Sequence, residues 1–96
     1  MKISENFEYP LLPEWSTQEI IDASEFYEAV EKVYTTGIER AEFMKKYIRF
    51  LEIEPAIMTQ KQLDRAFSEA SGLSIYRAVQ FVKNSDKEHI KFTEKS

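Results

Sequence analysis

The chain has 96 residues, 43% of them apolar and 31% charged, which suits one small domain with a single core. It contains no cysteine and carries a net charge of −4, so disulfide-stapled secreted scaffolds are excluded and nucleic acid is disfavoured as a default partner. No apolar run approaches the roughly 18 residues a membrane span needs, and the opening stretch MKISENFEYPLLPEW lacks the apolar segment of a signal peptide, so a cytoplasmic location is expected.

Residues 1–15 hold Pro10 and Pro13 and have no helical period. Phe7, Tyr9, Leu11, Leu12 and Trp15 make them too apolar for a free tail, so they read as an extended arm docked on the core. The first helix is predicted over 17–36. Ser16-Thr17-Gln18-Glu19 is a capping box, with Trp15 and Ile20 placed as a hydrophobic staple. Ala23, Phe26, Tyr27, Ala29, Val30, Val33 and Tyr34 then share one face, and Glu25, Glu28 and Glu31 the other. Gly37 supplies the left-handed stop.

A second helix is predicted over 39–53, with Phe43, Met44, Tyr47, Ile48, Phe50 and Leu51 inward, and Pro55 ends it. A third is predicted over 60–71. Thr59-Gln60-Lys61-Gln62 reads as another capping box with Met58 and Leu63 as its staple, and Leu63, Ala66, Phe67 and Ala70 face inward. Gly72 stops it. Ser74 caps a fourth helix over 75–84, which turns Ile75, Ala78, Val79, Phe81 and Val82 inward. Residues 85–96 lose the period and are expected to fray. The expected fold is therefore all-α: a compact open array or bundle of four helices forming one domain over 1–84, with an extended N-terminal arm.

Charge is uneven along the chain. Residues 14–38 carry six acids against Lys32, whereas residues 59–84 carry Lys61, Arg65, Arg77 and Lys83 against Asp64 and Glu69. Such faces are solvated or meet within the fold.

Catalytic constellations are thin. The single histidine, His89, falls in the predicted tail, where nothing holds it in place. Glu25, Glu28 and Glu31 lie on one exposed face, so their environments do not separate their pKa values as an acid–base pair requires. Zinc lacks ligands, and both glycines are helix stops rather than parts of a phosphate loop. No catalytic residue, cofactor or metal is expected, and the chain reads as a non-enzymatic interaction or accessory protein.

Its candidate interaction surface gathers residues at odd places. Ile21 stands among acids, Asp22 at the border of the first helix's apolar face, and Ile57 and Met58 in a linker. Tyr76, Arg77 and Gln80 lie on the fourth helix. The partner is expected to be a protein or a second copy. The alternative is nucleic acid, because Phe67 to Phe81 has helix-turn-helix spacing about Gly72, with Tyr76, Gln80 and Lys83 placed for the major groove. Only Arg77 and Lys83 are cations on that helix, which disfavours phosphate binding.

Several words in the chain resemble a known family. They are Tyr9-Pro10, Trp15-Ser16-Thr17 with Glu19-Ile20-Ile21, Val30-Glu31, Tyr34 with Gly37, Tyr47, Arg49 and Phe50, and Ser71-Gly72 with Ser74 to Val79. In this order they are similar to the YktA-like family of small, uncharacterised proteins of Gram-positive bacteria, over residues 8–83. Pro55 to Thr59 departs from the more polar linker of that family. The resemblance implies a four-helix array in the cytosol and no activity.

Overall fold

Ser16 opens the first helix in the computed structural model, which describes residues 8–92. Its hydroxyl accepts from the Glu19 amide at 3.1 Å, and its own amide donates to the Glu19 carboxylate at 2.8 Å. This completes the predicted capping box. Helix α1 (Thr17–Tyr34) buries Ala23, Phe26, Tyr27, Ala29, Val30 and Val33, the face read from periodicity. Gly37 closes it with φ +87°, donating its amide to the Lys32 carbonyl at 2.6 Å. Ile38 and Glu39 then form a short strand, β1, before helix α2 (Arg40–Ile53).

In α2, Phe43, Phe50 and Ile53 are buried. Ile48, expected inward, is 54% exposed. The apolar arc of this helix is wider than the surface its neighbours cover, and Ile48 lies beyond that edge.

Helix α3 (Ile57–Ser71) starts earlier than its predicted cap at Thr59. Its N-cap is Ala56, with no side-chain hydrogen bond. The expected second capping box is absent because Thr59 already stands inside the helix. The Gln60 amide takes the ordinary helical bond to the Ala56 carbonyl, and the Gln60 side chain donates to the Glu54 carbonyl at 2.7 Å. The staple is absent too: Leu63 is buried, but Met58 is 76% exposed. Leu63 and Phe67 face the core as expected, whereas Ala66 faces out.

Gly72, in the left-handed region at φ +83°, ends α3. Helix α4 (Ile75–Lys83) follows at once and buries Ile75, Ala78, Val79 and Val82. The α3–α4 link is braced by the buried Ser71 hydroxyl, which donates to the Phe67 carbonyl and accepts from the Leu73 amide.

The segment after α4 corrects the expected fraying tail. His89 and Ile90 form β2, antiparallel to β1, with Ile38 opposite Ile90 and Glu39 opposite His89. Ile90 is 1% exposed. The Phe92 amide donates to the Val33 carbonyl at 2.7 Å, and its ring packs on Tyr34 and Phe81. One buried isoleucine and one aromatic give no periodicity, so a helical reading passes over them, yet both fill space left beside α1 and α4. Residues 93–96 of the predicted tail, and 1–7 of the predicted arm, lie outside the described residues.

Helix α1 is central, packed on α2 and α4. Phe26 stacks on Phe50 of α2 with centroids 4.7 Å apart, and Tyr27 stacks on Phe67 of α3 at 5.4 Å. The described part of the arm, residues 8–15, lies against the core through Tyr9, Leu12 and Trp15. Tyr9 packs on Tyr27 at 5.3 Å and donates its hydroxyl to the Glu31 carboxylate, while Tyr27 donates to the Pro10 carbonyl at 2.8 Å. Each fully buried large aromatic contributes about 1.5–3 kcal/mol by leaving water.

Candidate functional site

Three large apolar side chains stand out in solvent: Met58 at 76% exposed, Ile57 at 67% and Tyr76 at 65%. Ile57 and Tyr76 belong to the surface where α2, α3 and α4 meet, and Met58 follows Ile57 in the chain. Between these helices runs a groove of about 270 Å³ whose apolar lining includes Tyr47 and Phe50 of α2, Ile57 of α3, and Ile75, Tyr76 and Val79 of α4.

The groove has a built frame. Asp64 of α3 reaches across to the start of α4, where its carboxylate accepts from the Ile75 amide at 2.8 Å and the Tyr76 amide at 3.3 Å. The Ser74 hydroxyl takes the next amide, that of Arg77, at 3.1 Å. Thus the first three amides of α4 are satisfied by two side chains, one of them from another helix. Tyr34 adds a third tie by donating to the Ser74 carbonyl at 2.7 Å. At the far end of α4, the Arg40 guanidinium donates to the Val82 and Ser85 carbonyls at 3.2 and 2.9 Å. A cation on late carbonyls complements the helix dipole. The helix that walls the groove is therefore held at both ends.

Of the residues singled out from sequence, Ile57, Tyr76 and Gln80 line this groove, and Met58 adjoins Ile57. Arg77 is exposed next to Tyr76. Ile21 and Asp22 are elsewhere, on α1. The sequence reading missed Gln60, Lys61 and Asp64 as groove residues. Their only local signal is the i, i+4 spacing of Gln60 and Asp64 on one face of α3. The pairing of Asp64 with α4 has no sequence signature.

Asp22 has a partner across the helix interface. Arg49 of α2 donates to it at 2.8 Å and Gln18 at 2.9 Å. The Arg49 hydrogen bond, followed by that from Gln18, holds the Asp22 carboxyl below the usual carboxylate range. Asp22 lines a charged cleft of about 500 Å³ with Glu25, Glu42, Lys45, Lys46 and Arg49. Lys46 there sits 3.6 Å from Glu25 and 3.8 Å from Glu42. Its three carboxylates, Asp22, Glu25 and Glu42, thus each face a cation from α2, either Arg49 or Lys46.

His89 is exposed, with its Nδ1 3.1 Å from the Glu39 carboxylate. Among the described residues, no group of three or more His, Cys, Asp or Glu side chains could hold a metal ion, and no helix is long and apolar enough to cross a membrane.

Comparison with known proteins adds kinship. The profile of a family described as an uncharacterised protein family, UPF0223, matches residues 6–91. A UPF0223 protein of Bacillus mycoides is 46% identical over 77 residues, which is 80% of this chain and 86% of the relative. One from Streptococcus thermophilus is 43% identical over 82 residues, covering 85% of this chain and 88% of the relative. Another, from Lactococcus lactis subsp. lactis, is 41% identical over 88 residues, covering 92% and 95%.

Proposed function

We propose, from the premise that the chain belongs to the UPF0223 family of uncharacterised bacterial proteins, that it is a non-enzymatic accessory protein which docks a protein partner in the α2–α3–α4 groove. One observation carries the reading. Ile57 and Tyr76 are exposed together along a concave apolar surface, with Met58 exposed next to Ile57, although the same fold buries Ile75, Val79 and Val82 of α4. Leaving such residues in water costs stability, and binding a partner offsets that cost. The concavity suits a protein segment and provides central pockets of the kind that anchor hot-spot residues.

Affinity capture from the protein's own host tests this. The tagged protein should retain a partner that Tyr76→Ser and Ile57→Ser both release, with helical content and thermal midpoint unchanged. Equal capture by wild type and both variants would overturn the reading.

The other reading is duplex binding through α3 and α4. It is favoured by the left-handed turn at Gly72 and by the exposure of Tyr76 and Arg77 on α4. Asp64 weighs against it. Its carboxylate occupies the first amides of α4, the place where a helix-turn-helix protein receives a phosphate or a base edge.

A further inference from the structure

We infer that the groove takes an acidic amphipathic helix of a partner protein; the inference rests on the docking reading above. Charge is the argument. The chain as a whole is acidic, at −4, yet the groove is not. Among the described residues lining it, Lys61 is the one cation and Asp64 the one acid. Asp64 is committed, both oxygens accepting from α4 amides, whereas Lys61 is exposed. A second lysine, Lys83, stands at the C-terminal end of α4 with its Nζ 5.5 Å from the ring centroid of Tyr47, a lining residue. Arg77, next to Tyr76 in the chain, is exposed as well. The apolar floor is thus bordered by lysines at separate points and by no uncommitted lining carboxylate.

The dimensions favour a helix. Helix α4 has nine residues, so the wall it provides is about 13.5 Å long, or two to three turns of a bound helix. Two or three apolar anchors at i, i+3 or i+4, and i+7 can enter between Ile57 and Tyr76. Glutamates flanking those anchors would then lie near Lys61 and Lys83. Rim charges of this kind choose the partner and speed its approach more than they add affinity.

A displayed library of helical peptides, about 15 residues long, tests the assignment. Leucine is fixed at the anchor positions, and the flanks vary among Glu, Gln and Lys. Selection on the full chain should enrich Glu at the flanks. Binding of the selected peptide should weaken about tenfold in Lys61→Glu/Lys83→Glu, and be lost in Tyr76→Ser. Enrichment of Gln or Lys flanks in peptides that still require Tyr76 would overturn the acidic assignment and leave the docking reading standing. Failure to select any Tyr76-dependent peptide would remove both. A concentration-dependent dimer abolished by Tyr76→Ser would assign the groove to a second copy and overturn the inference. Binding to phosphatidylserine-containing vesicles that is lost in Lys61→Glu/Lys83→Glu would do the same in favour of a membrane surface.

Discussion

Asp64 and Ile75 are joined across the α3–α4 turn by a 2.8 Å hydrogen bond, from the Ile75 amide to the Asp64 carboxylate. The bond makes one helix the cap of the next, so the Asp64 side chain helps to set the angle between α3 and α4, and with it the width of the groove. Asp64→Ala should destabilise the protein by about 1–2 kcal/mol, as loss of a helix cap does. Asp64→Asn, which retains one acceptor oxygen, should lose less. Urea melts of the two variants check the order; equal loss would mean that the charge, not the hydrogen bond, matters.

Gly37→Ala should cost about 1–3 kcal/mol, because an L side chain pays for the left-handed region that Gly37 occupies. The added Cβ would also run into His89 Nε2 and meet the Ile90 carbonyl oxygen at 3.0 Å. The imidazole can swing away and the backbone oxygen cannot. His89→Ala in the Gly37→Ala background should therefore restore only part of the thermal midpoint.

Ile90→Ala should cost about 2–5 kcal/mol, the usual loss for a buried isoleucine. Arg40→Ala, which releases the Val82 and Ser85 carbonyls, should mainly raise amide hydrogen exchange at the end of α4 and in the β1–β2 pair. Exchange confined to the arm instead would contradict this.

These features divide what was legible in the sequence from what was not. The Ser16 box, the Ser74 cap and both glycine stops are local. Each is written within four residues, and each formed as read. The false box at Thr59 shows the limit of local signals. The pattern was present, but Pro55 and Ala56 allowed the helix to begin upstream of it. What the sequence hid is what joins distant positions: Asp64 with Ile75, Arg40 with Val82, and Ile38 with Ile90. For the candidate site, exposure of Ile57 and Met58 was signalled by their expected place in a linker, and that of Tyr76 only by the helix-turn-helix spacing. That Ile57 and Tyr76 face one groove required the packing of α3 on α4.

The fold should weaken at alkaline pH. Burial, then the hydrogen bond to Glu31, raises the Tyr9 hydroxyl above its usual value near 10, and burial, then the charge of Glu54, raises that of Tyr27. The folded chain thus keeps protons that the unfolded chain releases. Their contribution is complete below pH 10 and declines as the pH rises above it. Asp22 acts in the opposite sense. Its lowered value means a contribution present above the ordinary carboxylate value of 3.8 and lost as the pH falls below it. Urea midpoints should drop as the pH rises above about 10, and less steeply in Tyr9→Phe.

Nucleic acid should not be retained. In mobility-shift assays at low salt with random duplex, the wild-type chain should run free. Clear retardation that disappears in Arg77→Glu would restore the helix-turn-helix reading.

The pairing of Glu39 with His89 spans 50 positions along the chain. Closing so long a loop costs entropy before the pair returns anything, so these contacts should form after α1 and α2 have met. Interactions made late in folding govern escape from the native state rather than arrival at it. The two-residue strands should therefore act as a latch on lifetime. Cutting it should leave refolding rates near those of the intact protein while unfolding becomes faster, so a small patch of sheet in a helical protein sets how long the groove persists once formed.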